Sequence, residues 1–135
     1  MARLIDSSLW VDFTRAKSPV ALKSLIHPWV LDPEAVLCEP IAFEVLRHAT
    51  KAERTKIEAQ FATLPLLATP QKLSRDATNL GTKCHEKGIN LGSMDLLIAS
   101  LAIHYDAELI TFDNDFSKIA SVSALKVIML KRPVV

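Results

Sequence analysis

Apolar positions along this chain fall into two patterns. Short unbroken runs, Ala35-Val36-Leu37-Cys38, Leu109-Ile110 within Glu108–Phe112, and Val127-Ile128-Met129-Leu130, read as strands buried on both faces. Arg3-Leu4-Ile5-Asp6 is a shorter run of the same kind that ends on an acid. Between these runs the apolar residues recur at three- and four-residue spacing. Leu22, Leu25 and Ile26 do so within Val20–His27, Ile41 and Val45 in a helix from Pro40 to about Thr50, and Ile57, Phe61 and Leu64 within Lys51–Leu64. Ile98, Leu101 and Ala102 continue the pattern after Ser93. Each such stripe marks a helix lying against a sheet.

Punctuation supports the division. Ser7 or Ser8 can cap a helix through Leu9-Trp10-Val11, and Pro28, Asp32 and Pro33 read as a loop. Pro40 suits a first helical position. Leu66-Leu67-Ala68 is a short strand or a connection, and Thr69-Pro70 opens a helix, capped by Thr69, that Gly88 stops near Lys87. Ser93 can cap the next helix, with Asp95 in its first turn at the positive end of the helix dipole. Strands alternating with helices predict an α/β protein with a central, mainly parallel sheet covered on both faces. Residues 1–135, with no internal repeat, are expected to form one domain.

Composition narrows the function classes. Sixteen basic residues against fifteen acidic ones leave a net charge of +1, so bulk charge makes no case for a nucleic-acid partner. The bases Lys51, Arg54 and Lys56 read as a solvated helix face. No apolar run approaches the roughly 18 residues of a membrane span. Two cysteines, Cys38 and Cys84, are expected as free thiols in a reducing, cytoplasmic setting, and Cys84-His85 lacks metal-site spacing.

The candidate chemistry lies in four carboxylates: Asp6 after the first strand, Glu44 in a helix, Asp95 at a helix start and Asp113 after a later strand. In a parallel sheet, strand ends and the starts of the following helices share one edge, where sites of open α/β sheets form. Acids gathered there would raise each other's pKa unless a cation sat among them. A hard divalent ion, Mg²⁺ or Mn²⁺, held through oxygen would resolve that conflict, activate a water and offset charge on a phosphate. Taken singly, each acid also fits a plain cap or turn residue.

The motifs Asp6-Ser7-Ser8, Glu44-Val45-Leu46-Arg47, Gly88-Ile89-Asn90-Leu91-Gly92-Ser93-Met94-Asp95 and Thr111-Phe112-Asp113-Asn114-Asp115-Phe116 resemble, in order, those of PIN domains. The likeness is greatest to the VapC-type toxins of prokaryotic toxin–antitoxin pairs. It implies a three-layer α/β/α sandwich and a metal-dependent endoribonuclease. Asp6, Glu44, Asp95 and Asp113 match the family's acidic quartet, with Asp115 placed to replace or support Asp113. The metal would fall to Asp6, Asp95, Asp113 and Asp115, and Ser7 or Ser8 and Thr111 match supporting hydroxyls. Arg47 could pair with Glu44 or meet substrate phosphate. His48 stands where relatives often carry a small residue. The resemblance also implies an RNA substrate, a homodimer and a small antitoxin partner; the stripes with Ile57 and Phe61 could supply a groove for either protein. The alternative is a catalytically silent PIN-fold module that binds RNA or protein. A receiver-like phosphoacceptor fits poorly, because no adjacent acidic pair follows the first strand. An Asp-x-Asp phosphatase fits poorly as well, because Ser7-Ser8 follows Asp6 and Asp113-Asn114-Asp115 comes too late.

Overall fold

The structure, a computed structural model, describes residues 1–134. Five parallel strands form one sheet in the order β3-β2-β1-β4-β5. They are β1 (Arg3–Ile5), β2 (Ala35–Cys38), β3 (Leu66–Leu67), β4 (Glu108–Thr111) and β5 (Lys126–Met129). The chain builds outward from β1 to β2 and β3, then returns to lay β4 on the other side of β1. The order therefore reverses between β1 and β4, where a parallel sheet leaves a crevice outside the carboxyl ends of its strands. Leu4 pairs with Leu109 and Ile5 with Ile110, so Asp6 and Thr111 leave the sheet side by side.

Every residue of β2 is buried, and Leu4, Ile5, Leu109 and Ile110 are wholly so, which requires helices on both faces of the sheet. Among the described residues the helices are α1 (Ser7–Thr14), α2 (Val20–Val30), α3 (Glu39–Arg47), α4 (Lys51–Phe61), α5 (Leu73–Glu86), α6 (Ser93–His104) and α7 (Asp115–Ala120). Trp10 of α1 meets Phe61 of α4 edge to face, with ring centroids 5.0 Å apart. Ile57 and Phe61 of α4 and Leu73, Ala77, Leu80 and Cys84 of α5 are all buried. The stripes that could have offered a partner groove are thus part of the protein's own core. The large apolar side chains left exposed lie elsewhere, Phe43 on α3 and Leu66 on β3 among them.

Element types agree with the sequence reading, and the differences lie at element ends. Pro28 sits inside α2 rather than in a loop; buried Val30 and half-buried Trp29 hold the last turn onto the core despite the missing donor. Thr69 caps nothing: Pro70–Lys72 make a turn closed by Leu73 N–H donating to the Pro70 carbonyl at 3.1 Å, and α5 starts where the first core residue, Leu73, falls. Neither Ser7 nor Ser8 caps α1, whose cap position is Asp6, because both hydroxyls turn toward carboxylates. Ser93 is the first residue of α6 rather than its cap; Gly92 holds that position with extended backbone. Thr50 does cap α4, in a reciprocal box with Glu53.

Two helices end alike. After α5 the Ile89 N–H reaches the Cys84 carbonyl at 2.8 Å and the Gly88 N–H the His85 carbonyl at 2.9 Å, around a left-handed Gly88 (φ 76°). After α6 the same two bonds form at Ala107 and Asp106, with Asp106 taking the left-handed residue (φ 52°). These turns set the loop that presents Asp95 and the entry into β4.

Candidate active site

Asp6 leaves β1 with its N–H on the Ile110 carbonyl at 2.9 Å and its side chain 3% exposed. A carboxylate so buried needs donors. Its Oδ2 accepts from Ser8 Oγ at 2.8 Å and from Thr111 Oγ1 at 2.7 Å. The Ser8 oxygen in turn accepts the Phe112 N–H at 3.3 Å, and the Thr111 oxygen accepts the Asp113 N–H at 2.9 Å. Each hydroxyl spends its one proton on Asp6 and a lone pair on the chain leaving β4. With both protons committed, the 3.5 Å approach of Ser8 Oγ to Thr111 Oγ1 is a contact rather than a bond. The hydroxyl network therefore ties the ends of β1 and β4 together. Burial pushes the Asp6 pKa upward, and the Thr111 and Ser8 hydroxyls pull it back.

Glu44 faces this network from α3, where its Oε1 accepts from Ser7 Oγ at 2.9 Å; Ser7 Oγ is also 3.4 Å from Asp6 Oδ1. Both serines are therefore used, one for each acid. Asp95 projects from the first turn of α6. Asp113 turns the chain into α7, its Oδ1 accepting the Asp115 N–H at 2.9 Å. One oxygen each from Asp95, Asp113 and Asp115 lies within 4.8 Å of the others. The pKa of Asp95 is pushed up to about 7, first by burial and then by Asp113, Asp6, Glu44 and Asp115. Asp115 also meets Lys118 at 3.3 Å on its solvent side.

Asp6, Glu44, Asp95 and Asp113 line one cleft of about 310 Å³ together with Ser7, Ser8, Val11, Asp12, Arg15, His48 and Arg132. Its donors are carboxylates and hydroxyls, the set that suits a hard divalent ion. A thiol competitor is absent from the lining, and burial pushes the nearby Cys38 thiol up to about 12, so it stays protonated. The residues present fit Mg²⁺ or Mn²⁺.

Arg47 lies away from this cleft. Its guanidinium stands 5.8 Å over Phe43 on an outer face shared with Glu39 and Arg54, while Glu44 turns inward to Ser7. The expected pairing of Arg47 with Glu44 is not formed among the described residues. His48 does line the cleft, at the end of α3. Three lining residues went unread in the sequence. Asp12 follows Ser8 by four residues on one helix face, a spacing that could have revealed it. Arg15 lies one residue past α1, and Arg132 comes from the C-terminal tail with no local pattern to mark it.

The PIN domain family model matches residues 3–122, a span that holds Asp6, Asp12, Glu44, Asp95, Asp113 and Asp115. The chain belongs to the PIN-domain family. Within that family it is 33% identical to ribonuclease VapC11 of Mycobacterium tuberculosis over 129 residues, covering 91% of this chain and 95% of the relative. It is 28% identical to ribonuclease VapC19 of the same species over 111 residues, covering 81% and 86%. Among solved structures, the fold matches the VapBC2 complex of Rickettsia felis bound to a promoter DNA fragment. That match has TM-score 0.77 and 19% identity, and covers 97% of this chain and 100% of the other. The fold also matches VapC20 of Mycobacterium tuberculosis, described as a Sarcin-Ricin loop cleaving toxin, with TM-score 0.69 and 15% identity, covering 93% and 99%. In this PIN domain the site sits at the sheet's reversal point, and the matched span ends before β5 and Arg132.

Proposed function

We propose that this PIN domain is a metal-dependent endoribonuclease and the toxin of a toxin–antitoxin pair. The observation that carries the reading is the gathering of Asp6, Glu44, Asp95 and Asp113 in one cleft with no lysine among its lining residues. Asp95, Asp113 and Asp115 would hold the Mg²⁺ or Mn²⁺, with Asp6 lining the same cleft as Asp95 and Asp113. When bound, the ion supplies positive charge that lowers the pKa of a water and offsets charge developing on a phosphate.

The remaining work falls to the chain's own side chains. Ser8 and Thr111 hold Asp6 in one orientation and keep its charge tolerable in the core. Ser7 fixes one oxygen of Glu44, which leaves the other to orient the attacking water and take its proton. Asp95 would have to be deprotonated to serve as a ligand. The partners we propose are RNA as substrate, a small antitoxin and a second copy of the chain. Because the α4 and α5 stripes are core, a second protein would bury apolar side chains exposed elsewhere, such as Phe43 and Leu66. Among the described residues no helix is long and apolar enough to cross a membrane. We place the protein in the cytoplasm, where the buried free thiols Cys38 and Cys84 stay reduced.

The test is cleavage of total cellular RNA by purified protein freed of any antitoxin, with Mg²⁺, Mn²⁺ or EDTA, beside Asp6→Asn. Discrete cuts that need metal and vanish in the variant are expected, with the variant's melting curve still cooperative. Full activity in Asp6→Asn would remove Asp6 from the site. A folded wild type that binds RNA without cutting it would turn the assignment to the silent binding module.

A further inference from the structure

The cleft is lined by five carboxylates, Asp12 being the fifth, and its fixed-charge cations are Arg15 and Arg132. A polyanion entering such a cleft needs a cation beside the metal cluster to hold its backbone. Arg15 is exposed, and its side chain makes no hydrogen bond or ion pair among the described residues. Arg132 is fixed in two ways. Its Nε donates to Asp12 Oδ2 at 2.8 Å, and its guanidinium carbon lies 4.6 Å from the centre of the Phe112 ring. Phe112 immediately precedes Asp113, so this stacking parks a positive charge next to the acidic cluster.

We infer that Arg132 holds the RNA backbone, donating from its terminal nitrogens to a phosphate adjoining the one that is cut. This rests on the ribonuclease reading and extends it. Asp12 occupies the Nε side of the guanidinium, and the two terminal nitrogens make no hydrogen bond among the described residues. Those nitrogens form the fork that matches two phosphate oxygens. The Arg132 side chain is 52% exposed whereas Asp12 is 14% exposed, so the acid is the fixed anchor and the arginine the reachable end. The tail does not need Arg132 to stay in place, because the Leu130 N–H already bonds the Thr111 carbonyl at 2.8 Å. The stacked Phe112 and the paired Asp12 act as positioning residues: they pre-order a long side chain and so reduce the rotamer entropy lost when a phosphate is bound.

The experiment uses a labelled oligonucleotide spanning a cut mapped in total RNA, with KM and kcat followed from 50 to 200 mM KCl. Arg132→Ala is expected to raise KM about tenfold with kcat within about twofold, the mark of binding lost equally in ground and transition states. The slope of log(kcat/KM) on log[salt] should become shallower by about 0.7, the change for one phosphate contact on a single strand. Arg132→Lys should restore the slope but only part of the KM, since charge returns without the fork. Melting temperatures should match the wild type. An active Arg132→Ala with unchanged KM and slope overturns the inference, as does a drop in melting temperature with the slope intact, which would make Arg132 a tail anchor. A wild type that cuts no RNA brings down the ribonuclease reading and this inference together. A normal Arg132→Ala brings down the inference alone.

Discussion

If Asp95 holds the proposed ion, metal affinity should depend on pH across the neutral range. Its carboxyl is held at about 7 by burial and by the charges of Asp113, Asp6, Glu44 and Asp115. A divalent ion must displace the proton it keeps there. One competing proton of that pKa weakens Mn²⁺ binding about tenfold between pH 8 and pH 6, and about a hundredfold by pH 5. Proton release per ion bound should be about 0.9 at pH 6, 0.5 at pH 7 and 0.1 at pH 8. Titration calorimetry with MnCl₂ in two buffers of different ionisation enthalpy measures both quantities. Asp95→Asn should bind more weakly at pH 8 and show little pH dependence from 6 to 8. Metal-free stability carries the opposite sign. Between the ordinary value of 3.8 and about 7, the folded protein keeps a proton that the unfolded chain has released. That stability is present below the window and is lost as pH rises through it. For a half-buried group, solvent screening reduces the effect to about 1–2 kcal/mol, or a fall in Tm of roughly 3–6 °C. Affinity constant within twofold from pH 6 to 8, with no proton released, would refute the assignment of Asp95 as the protonated acid.

Two further outcomes follow from the fold. The Ser100 hydroxyl is buried on α6, 4% exposed and without a hydrogen-bond partner among the described residues, so Ser100→Ala removes an unsatisfied group and improves helix propensity. Tm should rise by an amount equivalent to about 0.5–1 kcal/mol, and a fall on thermal denaturation would mean the hydroxyl is satisfied. Gly88→Ala meets open space, so its cost is the left-handed backbone alone, about 1–2 kcal/mol. Chemical denaturation should show a lower midpoint at an unchanged m-value; an unaltered midpoint would show that the turn relaxes.

What could be read from the sequence is what short-range chemistry decides. Apolar runs and helical spacing report burial within a few residues, so strands and helices were legible, as were the stop at Gly88 and the reach of Asp95 into the first turn of a helix. Local chemistry also misled: Ser7, Ser8, Ser93 and Thr69 all look like caps, yet none caps a helix; the hydroxyls of Ser7 and Ser8 turn to Glu44 and Asp6, and α5 starts only at the core residue Leu73. The Arg47–Glu44 pair is not formed because Glu44 turns inward to Ser7, and spacing along a helix cannot say which way a side chain will turn.

Only the tertiary structure decided that β4 returns beside β1, and the rest of the site depends on that pairing. It sets Thr111 against Asp6 across 105 positions and lets two hydroxyls serve two strand ends. It also gathers the charges that raise the Asp95 pKa. Arg132 meets Asp12 across 120 positions by the same closure. A residue's type and its near neighbours determine what chemistry it can offer. Which distant partner it meets is set by the strand order that buries the most apolar surface, a property of the whole chain that no local window contains.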